Sequence, residues 1–404
     1  MKRLLAGLCA LLLGCAPMCG CTKSDKAEID ATPDQALQRS ANKVQPVDAT
    51  GTSGGITLPS DFPDIFTTGG QTSAPEQTDA SAPAVPDATF APKQGENAFG
   101  DAVENAVTDH GFDGVAYAVQ NGAVVYSQGS LSDIYHVCSV SKQFTAAAIL
   151  MLAEEGRLDV DGTIDRYFPD YAHGGEVTVG QLMSMSSGIP DYLTADLSSF
   201  ADTENSSAQN RSAALDWIFA RGLIFTPGSE YYYCNSNYLL LSEIIEKVSG
   251  VDYEQFIRQR ILSPLGMSST GFGDTWSGGG SVVYSDEAYY RWFAYKGLCR
   301  GCGDMMSNAE DLAKWGVELC AHNLISDNIF RQMTAARVFG SEYNYGYGLM
   351  LCDNYIYHDG NLPPFCTTLS VLPAQGFVFV LLDCGDNSPL FDVREQIFTN
   401  STYQ

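Results

Sequence analysis

The chain has 404 residues, of which 45% are hydrophobic and 17% are charged, so it can bury a large core. Its formal net charge is −26, with 22 Lys and Arg against 48 Asp and Glu. Nucleic-acid binding depends on concentrated Lys and Arg that neutralise phosphates, so this balance argues against a nucleic-acid partner.

The N-terminus has the pattern of an export signal. Lys2 and Arg3 precede an apolar stretch over residues 4–13. This stretch is shorter than the roughly 20 residues that a membrane-spanning helix needs, and it is typical of a secretory signal. We therefore predict a signal peptide over residues 1–21.

Two cysteines near the end of this signal, Cys15 and Cys21, each follow a glycine. A leucine-rich stretch that ends in Gly-Cys resembles a bacterial lipoprotein signal, in which the cysteine receives a lipid. An ordinary cleaved signal is the alternative. Residues 22–95 are rich in Thr, Ser, Pro and Asp, which predicts a disordered stalk before a globular domain at 96–404. The expected location is outside the cytoplasm, with a lipid anchor in the outer face of the cytoplasmic membrane.

The globular part begins with a predicted helix over residues 98–110. Residues 114–119 and 123–126 have the composition of two strands. Asn121-Gly122 between them is the strongest short-range signal for a β-hairpin. The first elements of the domain are therefore a helix and an antiparallel strand pair.

Helices dominate the middle of the domain, and strands return near its end. Helices are predicted over residues 139–155, 177–187, 211–221, 236–249, 253–262 and 308–321. Strands follow over 346–352, 354–358, 366–372 and 376–383, and a last helix over 389–399. Short turns join consecutive strands, which implies antiparallel pairing. The prediction is an α+β fold, in which both strand groups share one antiparallel sheet flanked by helices and a mostly helical lobe is inserted beside a cleft.

Ser139 and Lys142 are the strongest candidates for catalysis. A serine hydroxyl is a poor nucleophile until a base removes its proton. Ser139 begins a predicted helix, and residues three apart share a helix face, so the Lys142 amine can reach the serine oxygen. The lysine must be partly neutral to act as a base, which requires a pKa below its usual value of about 10.4.

The Ser-x-x-Lys spacing alone is weak evidence. Ser40-Ala41-Asn42-Lys43 has the same spacing inside the predicted stalk. Context separates the two, because Ser139 begins an apolar helix after an extended segment, whereas Ser40 lies in polar sequence.

A second group of candidates is Tyr233-Cys234-Asn235. The Tyr233 phenol can relay a proton, and the Asn235 amide can orient a lysine amine or a substrate carbonyl. The alternative is that the tyrosines from Tyr231 onward only pack the core. That alternative is weaker for Tyr233, which directly precedes a predicted helix.

A third group, His358-Asp359-Gly360, lies on a predicted strand. The edge of a strand can supply a backbone N–H to an oxyanion, and a glycine allows close approach to the backbone. His173-Gly174-Gly175 has the same His-x-Gly form but falls in a predicted loop.

Cys299-Arg300-Gly301-Cys302 has Cys-x-x-Cys spacing. It is compatible with a redox pair, with half of a zinc site or with chance. A second Cys-x-x-Cys or a His-x-x-x-His is missing from the sequence after residue 21, which argues against zinc. Acyl transfer through Ser139 implies neither a metal nor an organic cofactor.

Taken together, these groups resemble the serine β-lactamase and penicillin-binding protein superfamily. The resemblance extends from about residue 97 to 385. It is closest to the branch that holds class C β-lactamases, D-alanyl-D-alanine carboxypeptidases, D-aminopeptidases and esterases. It includes residues 177–192, which end in Ser-Gly-Ile-Pro-Asp-Tyr, together with Pro227-Gly228-Ser229, residues 233–238, 301–315 and 345–348.

The resemblance implies roles for individual residues. Ser139 would be the acylated nucleophile, Lys142 and Tyr233 would share general-base and general-acid work, and Asn235 would position the substrate or Lys142. The backbone N–H groups of Ser139 and Asn361 would form the oxyanion hole.

The third motif departs from the commonest pattern of the superfamily. His358 stands where many β-lactamases have a lysine, and with Gly360 it would contact the substrate. Histidine in place of lysine means that this position has no permanent cation, which weakens the case for binding a substrate carboxylate there. Cys234 replaces the usual Ser or Ala, and Pro363-Pro364 stands where a glycine-rich turn is common.

The expected function is hydrolysis of an ester or a D-amino-acid amide through an acyl-enzyme, with β-lactams as a further candidate. The partner would be a small molecule or a peptide, and a cell-wall peptide fits the predicted location. A non-catalytic binding or sensor module on the same fold is the main alternative, and a structural surface lipoprotein is a second one.

Overall fold

The computed structural model describes residues 98–284, 293–340, 343–385 and 388–399. The predicted signal peptide, both lipidation candidates and the predicted stalk lie outside these residues, so they stay predictions. The first described helix begins at Ala98, and the predicted start of the globular domain at residue 96 also lies outside the described residues.

The described residues contain a large sheet and a small one. The strands are β1 (Val115–Gln120), β2 (Ala123–Gln128), β3 (Asp133–His136), β4 (Gly271–Phe272), β5 (Ser281–Val282), β6 (Met305–Ser307), β7 (Val338–Phe339), β8 (Asn344–Tyr345), β9 (Met350–Leu351), β10 (Ile356–Leu362), β11 (Phe365–Leu372) and β12 (Phe377–Cys384). The large sheet has the order β2-β1-β12-β11-β10-β9-β8-β7, and neighbouring strands are antiparallel.

The pairing of β1 with β12 joins the two ends of the domain. It runs from Val115 opposite Leu382 to Gln120 opposite Phe377. The predicted single antiparallel sheet built from the first and last strand groups is therefore confirmed, and so is the α+β fold.

The helices are α1 (Ala98–His110), α2 (Ser141–Glu154), α3 (Val179–Met183), α4 (Ser207–Phe219), α5 (Asn235–Ser249), α6 (Tyr253–Ile257), α7 (Ala309–Ala321), α8 (Asp327–Thr334) and α9 (Leu390–Thr399). Among the residues that the structure describes, no helix is both long and apolar enough to cross a membrane.

Side chains alternate between the two faces of the large sheet, as strand geometry requires. On one face, Ala116 and Ala118 pack in a cluster with residues of α1 and α9. On the other face, Val115, Tyr117 and Val119 belong to the main core, which includes α2, α5 and α7.

Helix α2 lies in the centre of the domain. Every residue from Ser141 to Leu152 is buried, so this helix is covered on all sides. Trp315 of α7 stacks on Phe144 at 4.7 Å between ring centroids and donates its indole N–H to Gln143 Oε1 at 2.8 Å. The helix that carries Lys142 is therefore fixed by the core.

Several predicted elements are shorter in the structure. The predicted helix at 177–187 ends with α3 at Met183, because Met185 takes a positive φ of 61° and breaks the helical path. The predicted strand at 346–352 is reduced to β9. Gly348, with φ of 72°, approaches α2 so closely that an added Cβ would lie 2.7 Å from the Lys142 carbonyl oxygen.

The small sheet, with the order β4-β6-β3-β5, was not predicted. Strand β3 is parallel to β5 and antiparallel to β6. The strands of the small sheet have only two to four residues, too few for a clear alternation of polar and apolar residues in the sequence. Strand β3 leads directly into the segment of Ser139.

A buried ion pair connects β10 to the C-terminal helix. Arg394 Nη1 of α9 lies 2.9 Å from Asp359 Oδ2, and the Arg394 side chain is 3% exposed. Its guanidinium also lies 4.5 Å from the centre of the Tyr357 ring. Removing one member of such a pair leaves a buried charge without its partner.

We therefore expect Arg394→Met to lower the free energy of unfolding by about 3–5 kcal/mol, measured by chemical denaturation. The matched control is Arg331→Met, which changes an exposed arginine of α8 and should cost well under 1 kcal/mol, as is typical of surface positions. Equal, small losses for the two variants would contradict a structural role of the Arg394 pair.

Candidate active site

Ser139 lies in a tight 3-10 turn, Cys138–Val140, between β3 and α2. Cys138 has a positive φ of 49°, which is uncommon for a residue other than glycine and costs conformational energy. The turn is fixed from both sides, because Val137 N donates to Met305 O at 3.0 Å and Ser141 Oγ donates to Cys138 O at 2.6 Å. Cys138 and Val140 are buried, whereas Ser139 is partly exposed.

The Lys142 side chain is fully buried, and its amine contacts three acceptors. Nζ lies 3.1 Å from Ser139 Oγ and 2.9 Å from Asn235 Oδ1. It also donates to the carbonyl oxygen of Cys302 at 2.7 Å. These three contacts fix the nitrogen beside the serine oxygen, as the Ser-x-x-Lys spacing predicts.

Burial lowers the pKa of Lys142 below its ordinary value. Cys302 and Asp191 act in the opposite direction, because negative charge nearby favours the ammonium form. Burial has the larger effect. Lys142 is therefore more easily deprotonated than an exposed lysine, which is what a general base for Ser139 requires.

Asp191 fixes the orientation of the Asn235 amide. Its Oδ2 accepts from Asn235 Nδ2 at 2.8 Å and from Asn235 N at 3.1 Å. With Nδ2 directed to a carboxylate, Asn235 Oδ1 must face Lys142. The result is a chain of hydrogen bonds from Asp191 through Asn235 and Lys142 to Ser139.

Asp191 was not among the site residues predicted from the sequence. The signal was present, since it is the aspartate of the Ser-Gly-Ile-Pro-Asp-Tyr segment. Its partner Asn235 lies far away along the chain, so no local spacing connects the two residues.

Tyr233 lies beside Lys142 and Ser139. The centre of its ring is 4.9 Å from Lys142 Nζ. Burial raises the pKa of Tyr233 well above its usual value, although a hydrogen bond with Ser139 lowers it. The phenol is therefore protonated in the free protein, which makes it a proton donor or relay rather than the first base.

Strand β10 packs directly on the turn of Ser139. A Cβ added to Gly360 would lie 2.3 Å from Val137 O and 3.0 Å from Cys138 Cβ. Gly360 is thus required for contact between two parts of the protein itself, in addition to any approach of substrate. This contact places Asn361, the next residue of β10, beside the same turn.

His358 is fully buried, and the prediction that it contacts the substrate stays a prediction. Its Nε2 lies 3.0 Å from the Tyr345 hydroxyl, and its Nδ1 lies 2.6 Å from the Asp359 carbonyl oxygen. Burial, with the charge of Lys142, lowers the pKa of His358 to about 3. The ring is neutral at physiological pH, and it supports Tyr345 and neighbouring Tyr233, whose ring centre lies 6.2 Å away.

Within the described ranges, no group of three or more His, Cys, Asp or Glu side chains could hold a metal ion. The site is instead a partly exposed serine with a buried amine at hydrogen-bond distance and a phenol beside both. Such an arrangement can transfer an acyl group to the serine oxygen. The fold and this site define a protein of the serine hydrolase type.

Comparisons with known proteins agree with this class. The profile of the beta-lactamase family matches residues 99–395. PbpX of Bacillus subtilis, classed by its name with the penicillin-binding proteins, is 27% identical over 315 residues, covering 73% of this chain and 77% of PbpX. The chain therefore belongs to the beta-lactamase family, within the serine β-lactamase and penicillin-binding protein superfamily.

Two solved structures are similar to this chain. A D-stereospecific amidohydrolase from Streptomyces sp. has a TM-score of 0.62 and 26% identity, covering 75% of this chain and 98% of that one. D-amino acid amidase from Ochrobactrum anthropi SV3, solved with L-phenylalanine amide, has a TM-score of 0.61 at 23% identity, covering 75% and 99%. The second likeness supports the fold alone.

We expect Asp191→Asn to slow acylation of Ser139 by about tenfold to a hundredfold, the scale found when the orienting partner of a functional ligand is removed. The substitution also removes a negative charge that raises the pKa of Lys142. The base must be deprotonated, so the acid limb of the pH–rate profile should move to lower pH. The measurement is the rate of fluorophosphonate labelling between pH 5 and pH 10.

The matched control is Asp196→Asn, which changes an exposed aspartate that caps a nearby 3-10 turn. Its profile should overlay that of the wild type. An Asp191→Asn profile with an unshifted acid limb would contradict the coupling of this carboxylate to Lys142.

Proposed function

We propose that this protein hydrolyses amides or esters of D-amino acids through a covalent acyl-enzyme on Ser139. The observation that carries the proposal is the distance of 3.1 Å between the fully buried Lys142 Nζ and Ser139 Oγ. Lowering of the lysine pKa by burial makes this amine a base within direct reach of the nucleophile.

In the acylation step, Ser139 Oγ attacks the substrate carbonyl carbon and its proton moves to Lys142 Nζ. The negative charge on the carbonyl oxygen would be stabilised by the backbone N–H groups of Ser139 and Asn361. The proton then passes through the Tyr233 hydroxyl to the leaving amine or alcohol. The same groups, acting in reverse, would activate a water molecule that releases the acyl group.

The third motif, His358-Asp359-Gly360, favours substrates that have no carboxylate near His358. His358 is neutral and buried, so it offers no cation that would bind such a carboxylate. An amide or ester group does not need one. The name of one similar structure, a D-stereospecific amidohydrolase, supports the same substrate class.

The proposed location is outside the cytoplasm, with a lipid on Cys15 or Cys21. The support is the basic start, the short apolar stretch and the two Gly-Cys pairs of the first residues. A peptide of the cell wall is then a substrate within reach.

Fluorophosphonate treatment followed by intact-mass analysis tests the nucleophile. We expect one adduct on the wild type and none on Ser139→Ala. The matched control is Ser40→Ala, which removes the serine of the second Ser-x-x-Lys sequence and should leave the adduct unchanged. No adduct on folded wild type would contradict the proposal and would favour a non-catalytic binding module.

Substrate class is tested with paired D- and L-amino-acid amides, the corresponding esters and a β-lactam. We expect turnover of D-amides or esters, with a preference over the L-forms in kcat/KM. Lys142→Met should reduce kcat by about 10²–10⁴, the usual contribution of a general base. Faster turnover of L-amides than of D-amides would contradict the proposed stereochemistry.

Metabolic labelling with a fatty acid tests the anchor. We expect incorporation of label in a bacterial host, and loss of the label in either Cys15→Ser or Cys21→Ser, because one thiol receives the lipid. Cys19→Ser is the control, since Cys19 does not follow a glycine. A chain that is exported without any label would support the ordinary cleaved signal instead.

A further inference from the structure

The Cys299-Arg300-Gly301-Cys302 segment forms a tight turn against the catalytic lysine. Cys302 N donates to Cys299 O at 3.1 Å, which closes a β-turn, and Gly301 takes the positive φ of 74° at its third position. A Cβ at Gly301 would lie 2.6 Å from Tyr238 O, so the turn packs closely on α5. We name residues 299–302 the dithiol turn.

The Cα separation of a β-turn is compatible with a disulfide across the dithiol turn. The end residues of a β-turn have Cα atoms less than about 7 Å apart, and disulfides form at Cα separations of about 4.4–6.8 Å. Both cysteines are buried free thiols, and a hydrogen bond joins their side chains. The turn therefore brings the two thiols together.

The two thiols also differ in acidity, which is typical of a reactive pair. A mutual hydrogen bond, together with burial, raises the pKa of Cys299 well above its ordinary value. Burial also acts to raise the pKa of Cys302, but the bond from Cys299 and the charge of Lys142 lower it below its ordinary value. Cys302 is thus the better thiolate.

Cys299 also lines a small cavity with Gly273, Phe293, Tyr295 and Asp304, among other residues. The volume of the cavity, about 10 Å³, is roughly the room for one water molecule. The dithiol turn is therefore not packed by protein on every side at Cys299.

Side chains around the dithiol turn fix its position. A change in the conformation of the turn therefore shifts the groups that contact it, including Lys142. Lys142 Nζ and Thr145 Oγ1, both of α2, donate to the carbonyl oxygens of Cys302 and Gly301, each at 2.7 Å. Arg300, 3% exposed, pairs with Asp252 at 2.6 Å and Glu246 at 2.8 Å. The Cys302 carbonyl is the nearest of the three acceptors of Lys142.

We propose that Cys299 and Cys302 are a dithiol–disulfide modification site whose oxidation slows acylation at Ser139. The oxidant class is a hydroperoxide, of which hydrogen peroxide is small enough for a site with room for about one water molecule. The Cys302 thiolate attacks one peroxide oxygen and expels hydroxide, which leaves a sulfenic acid. Cys299 loses its proton and attacks Cys302 Sγ, which expels a second hydroxide, so the protein loses two hydrogens and the peroxide becomes two molecules of water.

Oxidation has two effects on Lys142. Closing an S–S bond of about 2.05 Å pulls the Cys302 peptide and displaces the carbonyl that accepts from Nζ. It also removes a thiolate that raises the pKa of Lys142, and other groups around the amine, namely Asp191, Cys138, Tyr233 and His358, are unchanged. The first effect lowers the rate at the pH optimum, and the second moves the acid limb to lower pH.

The experiment compares the reduced full-length protein with the same protein treated with hydrogen peroxide. Peptide mass mapping should identify a Cys299–Cys302 disulfide, and dithiothreitol should reverse it. The rate of fluorophosphonate labelling at its plateau should fall about tenfold, because displacement of a catalytic group by less than 1 Å has effects on this scale. The acid limb should shift to lower pH.

Cys302→Ser retains the backbone carbonyl that accepts from Lys142 but lacks the attacking thiol, so the oxidant should leave its labelling rate unchanged. Cys320→Ser, which changes a cysteine of α7 and retains both thiols of the turn, should respond like the wild type. Cys299 and Cys302 remaining thiols would overturn the proposal, as would a disulfide that leaves the plateau unchanged or higher.

The labelling readout rests on the proposed serine chemistry, whereas the mass mapping does not. Failure of the proposed function would remove labelling in every sample, reduced or oxidised. Failure of the proposed dithiol–disulfide modification would leave labelling intact and insensitive to the oxidant.

Discussion

The structure depends on the burial of one amine. Lys142 lies on a helix that is covered on all sides, and its nitrogen has three acceptors at hydrogen-bond distance. Burying a cation without such partners costs several kcal/mol, so the acceptors make the position tolerable while burial keeps the pKa of the amine low. Stability and catalysis thus make opposite demands on the same group.

The three acceptors come from different parts of the fold, and each carries a separate task. Ser139 Oγ belongs to the strained turn before α2, and it is the group to be activated. Asn235 begins α5 and is oriented by Asp191, so it fixes the direction of the amine. The Cys302 carbonyl belongs to the dithiol turn, which links the redox state of two thiols to the position of the base. A change in any of the three elements reaches Ser139 through Lys142.

Much of the fold could be predicted from the sequence because the signals are local. The helix at 98–110 was predicted with the bounds that the structure has, and Asn121-Gly122 joins β1 to β2. Short elements were missed for a physical reason. The strands of the small sheet are held by neighbours distant in sequence, and their length gives no periodic pattern.

The features of the site divide in the same way into those that the local sequence predicts and those that it does not. The Ser139–Lys142 spacing follows from helix geometry, and the structure places the two side chains together. The part played by Asp191 depends on a contact with a distant residue, Asn235. The burial of His358 depends on Tyr345, from a strand that the sequence does not specify clearly. Spacing along a helix can be inferred from the sequence, whereas contacts between distant segments require the fold.

The most direct test of the account is the titration of Lys142 itself. Lysine labelled with ¹³C at Cε gives NMR signals that follow the charge of each amine, and a Lys142→Met spectrum assigns the signal. We expect Lys142 to titrate clearly below the ordinary lysine value of about 10.4, while the remaining lysines titrate near it. A Lys142 signal that titrates at or above that value would contradict the assignment of this amine as the base that activates Ser139.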